Sequence, residues 1–218
     1  MTSVFLDANV LKFGIVSVTR LVPKNQTLIL NGNKISTQVY DMRDVSIQEK
    51  TRDNPKLYSE IQLLSEVANL AKQERIKLLT HFETILEHFG LPKTVGRRKS
   101  VFEGIAIEEV KNPVEYSRVL LGLGQSPKGA QYNFIKGIKH PRFTELQKIM
   151  GAYQGEDRTN RNQLLDAFHF WCAEFNGCDY FLTLDFKLIA YTNSQKAFKS
   201  AVRLVSPSEL LAAIGGNL

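Results

Sequence analysis

Cysteine is scarce in this chain: Cys172 and Cys178 are the only two, and they form no Cys-x-x-Cys pair. That excludes a disulfide framework and a cysteine zinc site, and a reducing cytoplasm is the expected compartment. Long apolar runs are missing too. No stretch approaches the roughly 18 residues a membrane span needs, and no basic leader with a small-residue cleavage pattern opens the chain, so a membrane partner is not expected. The four histidines, His81, His88, His140 and His169, stand at no metal-ligand spacing, although His169 lies one turn from Asp166. No serine or cysteine occupies a nucleophile elbow. Internal repeats, low-complexity tracts and an interdomain linker are also absent.

What remains is an ordinary globular composition, 43% apolar and 23% charged over 218 residues, enough for one sizeable core. Net charge is +6 with a pI near 9.3, which favours a polyanionic partner. Between Pro92 and Asn160 twelve basic residues face seven acidic ones, so nearly all the excess sits in one segment. Arg97, Arg98 and Lys99 form its densest run, and aromatics such as Tyr116, Tyr132 and Phe134 are interleaved with its basic groups. That mixture suits single-stranded nucleic acid, held by charge and base stacking; the alternative is a helical insertion with a solvated basic face.

The chain is organised around residues 162–186. Leu164, Phe168, Trp171, Cys172 and Phe175 recur at helical spacing, and Asn176-Gly177 supplies a stop. Asp166 points away from that stripe, yet Leu165, Ala167, Phe170 and Ala173 are apolar as well, so the helix is expected to be buried nearly all round. Tyr180 to Leu184 reads as a buried strand ending on Asp185. Two carboxylates aimed at one place imply a cation between them.

Val4-Phe5-Leu6 is a strand ending on Asp7. Asn31-Gly32 between short β-like runs predicts a hairpin. A helix is expected over 58–74, a strand over 76–80, and a helix over 82–89 that carries Glu83 and Glu87 on one face. Helices are also expected over 145–153 and after Phe186, with a strand over 202–205. Ser206-Pro207-Ser208-Glu209 is a capping box opening the last helix. The alternation predicts an α/β fold with a mainly parallel central sheet flanked by helices, whose strand ends bring Asp7, Glu83 or Glu87, Asp166 and Asp185 to one edge. Taken singly, Asp7 and Asp185 could be helix caps, and Asp166 could complement a helix dipole.

In this order, Val4 to Val10, Thr80 to Glu83, Asp166-Ala167, Leu182 to Phe186 and the closing capping box resemble the PIN domain, a metal-dependent ribonuclease fold of toxin-antitoxin endoribonucleases and RNA-processing nucleases. The resemblance covers the first thirteen or so residues and roughly 58–90 and 160–212; approximately 20–57, with the hairpin, and 92–159, with the basic segment, depart from it as insertions in a single domain. It implies an endoribonuclease in which Asp7, Glu83, Asp166 and Asp185 hold Mg²⁺ or Mn²⁺ and cleavage leaves a 5′-phosphate. Thr80-His81-Phe82-Glu83 matches the spacing of small toxin members, whereas Glu87 fits longer relatives. Thr183 is a candidate hydrogen-bond donor to an acid or a substrate phosphate. RNA is the implied partner; an antitoxin, an RNA-processing partner and a homodimer stay open. Hard carboxylate oxygens suit Mg²⁺ or Mn²⁺. The alternatives are a PIN-like RNA-binding protein without catalysis, and a haloacid-dehalogenase-like phosphatase, against which Asn9 stands where that family has a second Asp.

Overall fold

The structure, a computed structural model, describes residues 1–30, 33–46, 51–88, 98–116, 127–153, 160–195 and 198–215. Its elements are β1 (Thr2–Leu6), α1 (Ala8–Phe13), β2 (Ile15–Leu30), β3 (Asn33–Ser46), α2 (Pro55–Lys72), β4 (Ile76–Thr80), α3 (Phe82–His88), β5 (Arg98–Ser100) and β6 (Ile107–Glu109). There follow α4 (Pro127–Lys136), α5 (Pro141–Ile149), α6 (Arg161–Phe175), β7 (Tyr180–Leu182), α7 (Phe186–Ser194), β8 (Arg203–Val205) and α8 (Pro207–Gly215).

Five strands form a parallel sheet in the order β6-β4-β1-β7-β8. Alternation along β1 divides the interior in two. Phe5 joins Leu79, Phe181 and Leu204 beneath α5 and α6, while Val4 and Leu6 join Leu78, Leu182 and Val205 beneath α2 and α8. Burial on both faces explains why these strands read as short continuous apolar runs. β6 escaped the sequence reading because Glu108 and Glu109 make it look like a loop; Lys77 pairs with Glu108 at 2.6 Å at this edge.

α6 is buried from Leu164 to Ala173 except at Asp166, as its composition implies. Asn160 opens it by accepting from Asn162 N and Gln163 N, and Gly177 beyond its end adopts φ 63°, the left-handed turn that favours glycine. The helix expected over 145–153 is instead α5, because Pro141 supplies a first-turn start and Gly151, at φ 76°, reverses the chain. The described parts of 92–159 are integral to the core: Ile135, Phe143, Leu146 and Met150 pack beside Phe168 and Trp171. Arg142 fastens this layer through Glu174, at 2.6 and 2.7 Å.

β2 and β3 pair antiparallel from Ser17↔Ser46 to Leu30↔Asn33. That is the expected hairpin, far longer than its apolar pattern suggested because both faces of the ribbon are largely exposed; Asn31-Gly32 lie outside the described residues. β5 completes a separate three-stranded sheet. Among the described residues no helix is long and apolar enough to cross a membrane.

The two helices on one face are joined by a buried carboxylate. Glu60 on α2 accepts from Ser208 N at 2.9 Å and Ser208 Oγ at 2.6 Å, next to the capping box in which Ser206 N donates to Glu209 Oε2 at 2.7 Å. Charge-assisted bonds of this kind contribute about 1.5–3 kcal/mol. Glu60→Ala is therefore expected to lower unfolding stability by about 2 kcal/mol in urea titrations, with the slope unchanged.

Candidate functional site

Asp7, Glu87 and Asp185 all lie beyond the carboxyl ends of parallel strands. The chain leaves β1 for β4 and β6 on one side and returns to β7 and β8 on the other, so the strand order reverses between β1 and β7. Ligands of open α/β sheets bind in the crevice at such a reversal, and Asp7 and Asp185 flank it.

Asp7 is 2% exposed and held by three donors. Ala8 N reaches Oδ1 at 2.7 Å, while Asn9 Nδ2 and Thr183 Oγ1 reach Oδ2 at 2.6 and 2.7 Å. Asn9 is fixed in turn because its Oδ1 accepts from Leu184 N at 2.9 Å, and Thr183 Oγ1 accepts from Asp185 N at 3.1 Å. Asn9 and Thr183 thus tie the end of β1 to the segment after β7. Asp185 Oδ1 accepts from Leu188 N at 2.9 Å. Both acids therefore cap helices, α1 and α7, while facing the crevice.

Asp166 is different. It lies in the second turn of α6, whose cap is Asn160, and the first turn holds no acid, so a dipole role does not account for it. Burial first, then repulsion by Asp7, Asp185 and Glu87, hold its carboxyl well above the usual carboxylate range. Among the described residues none donates a hydrogen bond to it. The three named repellers define the cluster around Asp166.

Glu87 belongs to that cluster, whereas Glu83 is turned elsewhere. Glu83 is fully buried; Tyr116 OH donates to Oε1 at 3.0 Å, and Gln131 Nε2 donates to Oε2 at 3.1 Å and to the backbone oxygen at 2.7 Å. The two glutamates share a helix yet serve different neighbours, one crevice-facing and one bound to α4. No local sequence signal marks Tyr116 and Gln131 as its partners, since they lie 33 and 48 residues away.

His169 is fully buried between two acids, with Nδ1 3.7 Å from Asp7 Oδ1 and Nε2 3.3 Å from Glu87 Oε1. Burial disfavours its charged form, but Glu87 and then Asp7 outweigh this and raise its pKa. Its spacing from Asp166 was the one hint in the sequence. One imidazole stands beside four carboxyl groups, so His169 can offset at most one of their charges. The donor set, all hard oxygens, suits a divalent cation such as Mg²⁺ or Mn²⁺. Among the described residues, however, no three acidic, histidine or cysteine side chains are closed into a cage as they stand, because Asp7 and Asp185 are turned onto capping donors.

The basic run is only partly described. Arg97 lies outside the described residues, and Arg98 is a backbone partner of Val18 in β5. Lys99 pairs with Asp44 at 3.3 Å on the exposed base of the hairpin; Thr19 and then Lys99 lower the Asp44 pKa. No family model, curated protein or solved structure matches the chain.

Thr183→Val removes a donor from Asp7 and an acceptor from Asp185 N. It is expected to cost about 1.5–3 kcal/mol, and Thr183→Val with Asn9→Ala should be non-additive because both donors serve one oxygen. Denaturant titration of the two single variants and the double measures this.

Beside the cluster, burial first of all lowers the His81 pKa to about 4. The neutral ring is already satisfied, with Nε2 2.6 Å from Asn112 Oδ1 and Nδ1 accepting from Glu83 N at 3.1 Å. Below pH 6.5 the unfolded chain takes up a proton that folded His81 refuses. Stability from this group is thus full above pH 6.5 and lost as pH falls towards 4, by about 3 kcal/mol. Melting curves across that window should show His81→Gln losing this part of the pH dependence.

Proposed function

We propose that the protein is a metal-dependent endoribonuclease of PIN-like character, in which Asp7, Glu87, Asp166 and Asp185 hold Mg²⁺ or Mn²⁺. One observation carries this reading: carboxylates from the ends of β1 and β7, from α3 and from α6 are gathered at the strand-order reversal, and Asp166 is repelled by the other three. A structural role explains caps on α1 and α7; it does not explain a fourth acid in the middle of a buried helix.

A bound divalent ion would supply an activated water and polarise a phosphodiester. The chain's own contribution is positional. Asn9 and Thr183 hold Asp7 in one orientation, and His169 offsets part of the negative charge between Asp7 and Glu87. Glu87 takes the place expected of Glu83, whose oxygens are engaged by Tyr116 and Gln131. The net charge of +6 over the whole chain favours a polyanionic substrate.

A PIN-like RNA-binding protein without catalysis is the second reading, in which Asp7 and Asp185 serve as the helix caps they form. Asp166→Asn separates the two. Under the nuclease reading it raises the melting temperature in EDTA, since a repelled carboxylate is gone, and it abolishes Mn²⁺-dependent RNA cleavage and weakens Mn²⁺ binding by calorimetry. Wild-type protein that neither binds Mn²⁺ nor cleaves RNA leaves the second reading standing.

A further inference from the structure

The acid cluster adjoins a cleft of about 300 Å³ between the start of α2 and the start of α7. Asn54 and Leu57 line it from α2, and Leu184, Phe186 and Lys187 from the α7 side; Asn9 and Asp185 belong both to the cleft and to the acid site. A second ammonium stands at this place: exposed Lys56 lies with Nζ 4.5 Å from the centroid of the Phe186 ring.

The lining combines groups that one simple ligand would not need together. An apolar ligand has no use for Lys187 or the adjacent Lys56, and a bare anion has none for the Leu57, Leu184 and Phe186 surfaces. A nucleotide unit uses both, a flat base on the aromatic wall and a phosphate at the ammoniums. The volume is at the small end of ligand pockets, suiting a single unit and not a duplex.

We propose that this cleft is a subsite for one nucleotide of single-stranded RNA, adjacent to the phosphate that is cut. The base stacks on Phe186, and Lys56 and Lys187 hold the flanking phosphate. Lys56 leaves the ring face when the base arrives, an exchange of an exposed cation–π interaction for the stronger base stack. This inference rests on the nuclease reading for its placement beside the scissile bond, while its recognition chemistry requires no metal.

The test is fluorescence anisotropy with a short fluorescein-labelled single-stranded RNA and the full chain in EDTA, read as affinity ratios between variants. Phe186→Leu keeps apolar bulk for the fold, which circular dichroism checks, and is expected to weaken binding about tenfold; Phe186→Trp restores it. Lys56→Ala with Lys187→Ala is expected to flatten the salt slope by about 0.7 for each phosphate that is no longer neutralised. Phe186→Leu binding within about twofold of wild type, or an unchanged salt slope in the lysine variant, overturns the subsite. Phe186-dependent binding by a protein that neither holds Mn²⁺ nor cleaves would keep the subsite and remove the nuclease reading. Normal cleavage with Phe186-independent binding would do the reverse.

Discussion

The repulsion of Asp166 by Asp7, Asp185 and Glu87 is the constraint on which the rest of the site depends. Carboxylates in one recess oppose folding unless donors or cations offset them, and the surroundings supply hydrogen-bond donors and one imidazole. Ala8 N, Asn9 and Thr183 converge on Asp7, Leu188 N on Asp185, and the His169 ring lies between Asp7 and Glu87. Asp166 has no such relief. It cannot withdraw, because almost every other face of α6 is packed, from Phe168 and Trp171 beneath α5 to Phe170 against Phe181. A core that holds a carboxyl in place among other carboxylates gives up stability there.

The fold makes this geometry from few parts. Because β1 lies at the centre of the sheet, the crossovers leave it in opposite directions, and the reversal beside it opens a crevice that no strand fills. Asn9 and Thr183 then close the gap between β1 and β7 at side-chain level. α4 and α5 act at a distance from the crevice. By binding Glu83 through Gln131 and packing Phe143 on Trp171, they set the position of α3 and α6, the two helices that deliver Glu87 and Asp166. The β2–β3 ribbon stands apart in its own sheet and adds nothing to this core beyond its base.

The sequence by itself determined the parallel α/β architecture, since buried strands and amphipathic helices declare themselves through local apolar periodicity. It also placed Asp7 and Asp185 at the junctions where they lie, Asp166 on its buried helix, and the capping box of α8, because caps, strand ends and helical periodicity are local in the chain. β6 stayed hidden since its charged residues face outward at an edge, and the true start of α5 was masked by a weak apolar pattern. Only the tertiary structure shows how the surroundings of Glu83 and Glu87 differ. Both lie on one face of one helix, and what separates them is Tyr116 and Gln131, brought to Glu83 from distant segments, and His169, brought to Glu87 from α6. Those partners are selected by the packing of helices against a sheet, a sum over long-range interactions that no local spacing records.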